Sequence, residues 1–181
     1  MQNERHIIEK ARTHPEAFGQ LYDAYYPKIF GYLFRITGDY FVACDISSET
    51  FLKAWLHLGS FHWKGISISS WLFKIATNEL NQYFRRKKYR PHLLTELSGT
   101  DWLSLNAQES ADETQVKRDF DDEFRNVLQK LKSLPPKYQK VIALRYFEEL
   151  SIKEIAEILG KKEGTVKSLV SRGLEKLKNK F

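Results

Sequence analysis

From Phe18 onward the apolar residues Phe18, Leu21, Tyr22, Tyr25, Ile29, Leu33 and Ile36 return mostly at steps of three and four, the spacing of one helix face. Pro27 falls inside this stretch. Proline lacks the backbone donor and crowds the preceding turn, so two helical pieces are expected rather than one rod. Gly38-Asp39 reads as a turn. A second helix is expected from about Asp45 to Leu58, capped by Asp45 or Ser47, with Phe51, Leu52, Trp55 and Leu56 turned inward. A loop with Gly59, Ser60, Gly65 and alternating Ser and Ile follows. Trp71, Leu72, Ile75, Ala76, Leu80 and Tyr83 then repeat at helical spacing into the run Arg85-Arg86-Lys87-Lys88-Tyr89-Arg90. Strands and helices do not alternate in this block, which therefore predicts an all-α fold.

The C-terminal stretch is more sharply punctuated. Leu134-Pro135-Pro136 ends one helix, from Phe124 to about Leu134, and starts another that carries Val141, Ile142 and Leu144. Ser151 followed three residues later by Glu154 is a capping box. It opens a short helix with Ile152, Ile155, Ala156 and Leu159 on one face, and Gly160 supplies its left-handed end. A last helix runs from about Glu163 to Lys178, with Val166, Val170, Gly173, Leu174 and Leu177 as its apolar stripe. A short helix, a Gly turn and a longer basic helix spell a helix-turn-helix.

Charge divides the 181-residue chain in the same way. Residues 1–90 hold 13 Lys/Arg and 8 Asp/Glu, residues 91–124 hold 2 and 9, and residues 125–181 hold 14 and 6. The overall +6 thus conceals two basic blocks around an acidic one. The acidic stretch is rich in Ser, Thr, Gln, Asp and Glu, with little to bury beyond Trp102, Leu103 and Leu105. It reads as a flexible linker, poorly ordered when alone. The expected organisation is two small helical domains, 1–92 and 124–181, joined by an acidic linker over 93–123.

The basic runs carry the candidate chemistry. Cations can follow a phosphate backbone and aromatic faces can take unstacked bases, which places Arg85, Arg86, Lys87 and Lys88, with Trp63 and Trp71 nearby, in a candidate nucleic-acid face. A core helix with a solvated cationic end would read the same way, and core packing is the readier role for Trp71 and Tyr83. On the last helix Thr165, Lys167, Ser168, Ser171 and Arg172 lie off the apolar stripe, where a major groove could admit them. The five histidines and single cysteine have no metal-ligand spacing, and no phosphate-cradling loop or nucleophile elbow appears, so no catalytic centre, metal or cofactor is expected. Cys44 alone fits a reducing compartment, and neither a signal peptide nor a run long enough to span a bilayer is present, so membrane insertion is not expected.

These motifs resemble, over nearly the whole chain, the extracytoplasmic-function (ECF) class of the bacterial sigma-70 family. Residues 134–160 and Gly164-Thr165-Val166-Lys167-Ser168 are similar to that family's region 4. Phe51-Leu-Lys-Ala-Trp55 resembles its region 2.2, and Ser70-Trp-Leu-Phe-Lys-Ile-Ala-Thr-Asn78 its regions 2.3–2.4. The resemblance implies a cytoplasmic bacterial transcription-initiation factor that binds core RNA polymerase on its clamp helices and flap. It implies docking through Asp45, Glu49, Phe51, Leu52 and Trp55. Trp63, Trp71 and Asn78, with Arg85–Lys88, would read and melt the −10 element, a loop at about 61–69 taking a flipped base. Thr165, Lys167, Ser168, Ser171 and Arg172 would read the −35 duplex. The linker would run through the polymerase's RNA exit path, and an anti-sigma factor is an expected partner.

Ser47-Ser48, Asn81-Gln82, Leu169 and Leu174 depart from the family pattern, which bears on the clamp contact and on both promoter elements. A free-standing helix-turn-helix repressor or response regulator is the rival reading, though a receiver domain would need strands where this chain has helical periodicity.

Overall fold

The structure is a computed structural model that describes residues 2–12, 14–61, 67–89 and 126–180; the expected linker and Trp63 lie outside the described residues. Every element among the described residues is helical. Helix α1 (Gln2–Ala11) reaches the core through the buried Ile8 and Ala11. Helix α2 (Pro15–Thr37) runs unbroken through Pro27, against the expected two pieces. Pro27 and Asp23, whose carbonyl the proline leaves without a partner, both lie on the exposed side, where water can satisfy that carbonyl. On the other side Leu21, Ile29, Tyr32 and Leu33 are buried and hold the helix in line.

Gly38 closes α2 in the left-handed region at φ 67°, its N–H returning to the Phe34 carbonyl. Helix α3 (Tyr40–His57) therefore starts earlier than expected, and its cap is Asp39, whose carboxylate accepts from the Val42 N–H at 3.1 Å. Ser47 is no cap: it is buried within α3, and its hydroxyl donates to the Ala43 carbonyl at 2.7 Å. Asp45 likewise sits inside the helix rather than at its start. After a 3-10 turn (Leu58–Ser60), helix α4 (Ile68–Tyr89) begins at Ser67, whose hydroxyl accepts from the Ser70 N–H at 3.0 Å. Tyr32 and Thr77 share a buried 3.0 Å hydrogen bond between α2 and α4.

The C-terminal block follows its punctuation closely. Helix α5 (residues 126–132) gives way at Leu134-Pro135 to α6 (Pro136–Ile142), and the corner is pinned by the Gln139 amide, which donates to the Lys132 and Leu134 carbonyls at 2.7 and 2.6 Å. A π turn, Ala143–Phe147, widens the end of α6 before α7 (Ile152–Leu159). The capping box forms as expected, with Ser151 Oγ accepting from the Glu154 N–H at 3.2 Å and Glu154 Oε2 accepting from the Ser151 N–H at 2.9 Å. Gly160 turns the chain at φ 61°.

Helix α8 (Glu163–Lys178) buries Val166, Val170 and Gly173. A Cβ at Gly173 would stand 3.0 Å from Ile142 Cδ1, so the missing side chain sets how closely α8 and α6 approach. Leu174 was expected in this stripe but is 38% exposed: it lies about 80° around the helix from Val166, beyond the seam that Val170, Gly173 and Leu177 follow.

The two blocks are not separate in space. Helix α4 packs on α7, α2 meets α6 and the π turn, and one continuous cluster of buried residues runs through both blocks.

Candidate nucleic-acid and partner interfaces

The last helix presents its polar residues as the apolar stripe requires. With Val166 fully buried and Val170 and Gly173 inward, Thr165, Lys167, Ser168, Ser171 and Arg172 are all exposed along the opposite side of α8. Ser168 Oγ donates to the Thr165 carbonyl at 2.9 Å, so its oxygen lone pairs remain directed outward. A basic, small-residue face on a helix about 24 Å long matches the width and chemistry of a major groove. The five expected −35 residues are thus brought together on one face.

Helix α4 carries the second candidate surface. Asn78 is exposed and shares a shallow concavity with Asn81, Gln82 and Arg85. Gln82 Nε2 donates to Glu79 Oε1 at 3.2 Å, and Arg86 reaches back to Gln82 Oε1 at 3.5 Å, so the Gln82 amide is held along the helix. Arg85, Arg86 and Lys87 are exposed beyond it. Trp71 is half-buried and tilts against Phe61 with ring centroids 5.1 Å apart, at the other end of α4 from the cationic run. The described −10 candidates therefore spread along this helix, Trp71 near its start, Asn78 midway and Arg85 to Lys87 near its end. The side chain of Lys88 and all of Trp63 lie outside the described residues, as do residues 62–66 of the expected base-capturing loop. Asn81 and Gln82 are additions to the expected set; Asn and Gln can pair bidentately with adenine edges.

Helix α3 departs from expectation in an informative way. Only Phe51 of the four expected inward residues is buried, beneath Tyr22 with centroids 4.8 Å apart. Leu52 is 52% and Leu56 66% exposed, and Trp55 is partly exposed with its ring edge-on to Phe18 at 4.9 Å. Asp45 and Glu49 are exposed on the same helix. Of the expected docking residues, Asp45, Glu49, Leu52 and Trp55 can be touched by a partner, while Phe51 supports them from below. Leu56 and the 68% exposed Phe41 extend this apolar surface. Their signal was present in the sequence: Ala54-Trp55-Leu56 are successive, neighbours on a helix point about 100° apart, and one core-facing stripe cannot take all three.

Glu49 is also tied inward. Lys53 Nζ pairs with Glu49 at 3.2 Å and with the buried Glu79 of α4 at 2.7 Å, and the Glu79 hydrogen bond holds the Lys53 ammonium above its ordinary pKa. Helices α3 and α4 are thus joined through one lysine. Among the described residues no cluster of His, Cys, Asp and Glu is placed to hold a metal ion, and no helix is long and apolar enough to cross a membrane.

Comparison with known proteins matches residues 21–90 to the family described as Sigma-70 region 2 and residues 124–177 to Sigma-70, region 4. The chain is similar to the ECF RNA polymerase sigma factor SigW of Bacillus subtilis (strain 168), 34% identical over 186 residues that span 100% of this chain and 97% of that protein. Its fold resembles that of CnrH, solved in complex with the cytosolic domain of CnrY, with a TM-score of 0.70, 21% identity and coverage of 97% and 95% of the two chains. It also resembles the sigma factor RpoE of Bartonella quintana, solved with the anti-sigma factor NepR, with a TM-score of 0.65, 22% identity and coverage of 90% and 94%.

Proposed function

The chain belongs to the sigma-70 family, among the ECF RNA polymerase sigma factors, and on that premise we propose how its surfaces divide the work of promoter-specific initiation. Residues 1–92 form the unit that docks on core polymerase and handles the −10 element, and 124–181 the unit that reads the −35 duplex. Asp45, Glu49, Leu52 and Trp55 on α3 meet the polymerase clamp helices, with Phe51 as their support. Asn78, Arg85, Arg86 and Lys87 on α4, together with Trp71, Trp63 and Lys88, engage the opened −10 strand; cations hold phosphates and aromatic faces take bases. Thr165, Lys167, Ser168, Ser171 and Arg172 enter the −35 major groove, and the C-terminal unit also rests on the polymerase flap. The role is one of binding and DNA opening rather than of bond chemistry. It is exercised in the cytoplasm, and an anti-sigma factor is its natural antagonist.

The observation that carries this reading is the exposed apolar row Leu52, Trp55 and Leu56. Such a row on the N-terminal block suits a subunit captured by a larger enzyme. Run-off transcription with core polymerase on a promoter library tests it: transcripts that require both protein and core, from templates sharing two spaced elements, are expected. Binding of duplex promoter at full affinity without polymerase, and no polymerase-dependent transcript, would favour the repressor.

A further inference from the structure

Gln82 of α4 stands in a pair that departs from the family pattern, and what it offers to a base is set by Glu79, granted the promoter function proposed above. A glutamine amide is ambiguous by itself, since one end donates, the other accepts, and either can be turned outward. Here a carboxylate makes the choice. Glu79 Oε1 accepts from Gln82 Nε2 at 3.2 Å, and an ionised carboxylate has no hydrogen to offer, so only the NH2 end of the amide can face it. Gln82 Oε1 is left on the side of the exposed Arg86, whose guanidinium donates to it at 3.5 Å. A carbonyl oxygen has two lone pairs, so one remains for a ligand.

Glu79 is held to this task from its other oxygen. Its side chain is 9% exposed, and a carboxylate so far removed from water must be paired to stay ionised. Lys53 of α3 meets Oε2 at 2.7 Å, and the same ammonium pairs with Glu49 at 3.2 Å. The two carboxylate oxygens therefore divide their work: one is fixed to a neighbouring helix, and the other fixes an amide. The outer end of that amide belongs to the concavity shared with Asn78, Asn81 and Arg85, on the surface assigned to the opened −10 strand.

An outward carbonyl oxygen discriminates between bases. Adenine and cytosine carry an amino group on the edge where guanine and thymine carry a carbonyl oxygen. The amino group can donate to Gln82 Oε1. The carbonyl oxygen would face a second acceptor and leave both without a partner, which costs more than a hydrogen bond gains. An amide free to turn over could serve either kind of base and would give little preference.

We propose that Glu79 is a positioning residue for −10 specificity: anchored by Lys53, it locks Gln82 with its carbonyl oxygen outward, so that one position of the −10 element is read as adenine or cytosine in preference to guanine or thymine.

The test is run-off transcription with core polymerase on templates in which each −10 position carries each of the four bases in turn. Wild-type protein should favour adenine or cytosine at one position by about three- to tenfold, the scale of a single hydrogen bond. Gln82→Ala should level that position. Glu79→Gln keeps the shape of the side chain but can donate as well as accept, and it should level the same position while the −35 preference stays as in wild type. A loss of stability alone would lower transcription from every template alike and leave the base ratios untouched. The exchange Glu79→Gln with Gln82→Glu rebuilds the lock with its ends reversed: the new amide donates to the new carboxylate, whose other oxygen faces outward. The preference for adenine or cytosine should then return.

A base preference that survives in Glu79→Gln or in Gln82→Ala, or that does not return in the exchange, would overturn the proposal and leave the sigma-factor reading intact. Absence of any polymerase-dependent transcript from wild-type protein would remove both.

Discussion

The two basic blocks of this chain reach their exposed candidate surfaces by opposite routes. In the C-terminal block the surface follows from local chemistry: a capping box, a left-handed glycine and an apolar stripe define α7 and α8, and whatever lies off the stripe is exposed. In the N-terminal block the helices are long and apolar on more than one side, and the tertiary packing decides which residues remain outside. Phe51 and Leu52 are neighbours in sequence, yet one is buried and the other half in solvent. Local grammar is thus a reliable guide to a small helix-turn-helix, whereas a bundle with surplus apolar residues must be assembled before its interface can be seen.

The largest expected effect probes burial itself. Leu33→Ala, at a fully buried position of α2, should cost about 2–5 kcal/mol of stability, measured by urea unfolding. Leu56→Ala on the exposed side of α3 should leave stability within about 0.5 kcal/mol of wild type. The same substitution should weaken capture of core polymerase by about 1.5–3 kcal/mol if the side chain is fully covered there. Equal retention of polymerase by Leu56→Ala and wild type would remove the functional side of the contrast.

Next comes the recognition helix, where side chains should matter for specificity and not for folding. Arg172→Ala should lower −35-dependent initiation by about 1–3 kcal/mol, the scale of one good base contact, with unfolding unchanged. Promoter selectivity identical to wild type across a −35 library would contradict its assignment. Smaller again, Ser151→Ala should cost about 1 kcal/mol by removing the cap of α7, read as a lower midpoint of thermal unfolding.

The smallest effect concerns the seam between the blocks. Burial raises the Glu148 carboxyl above its ordinary 4.5, and Arg35, together with Lys28, only partly offsets this. A group with a raised pKa in the packed state contributes stability that is complete below its ordinary value and lost as pH rises through the raised one. The packed form should therefore strengthen modestly on acidification through the carboxylate range, and Glu148→Gln should abolish that dependence. An interblock cross-linking rate with the same pH profile in both proteins would separate Glu148 from the effect.

Much of the fold was legible in the residues. The helix boundaries around Leu134-Pro135-Pro136, the capping box and, Leu174 apart, the exposed face of α8 match expectation, because each rests on interactions spanning only a few residues. The start of α3 was misplaced because Asp39 and Asp45 are equally good caps by type; the left-handed Gly38 settles the choice by ending α2 directly before Asp39. Pro27 was misread because its cost depends on whether the freed carbonyl meets solvent, which one helix alone does not decide. On α3 the apolar pattern alone points Leu52 and Trp55 into the core, and only the packed bundle leaves them outside.

By itself, then, the sequence determined the helical class, the two basic blocks, the helix-turn-helix and the identity of its exposed face. These depend on periodicity, caps and charge, which act within a turn or two of the chain. The tertiary structure alone decided that α2 stays whole, that Leu52 and Leu56 face outward, and that Arg35 meets Glu148 across 113 positions of chain. Burial is a property of the assembled bundle, and a contact between residues so far apart leaves no local pattern to be read.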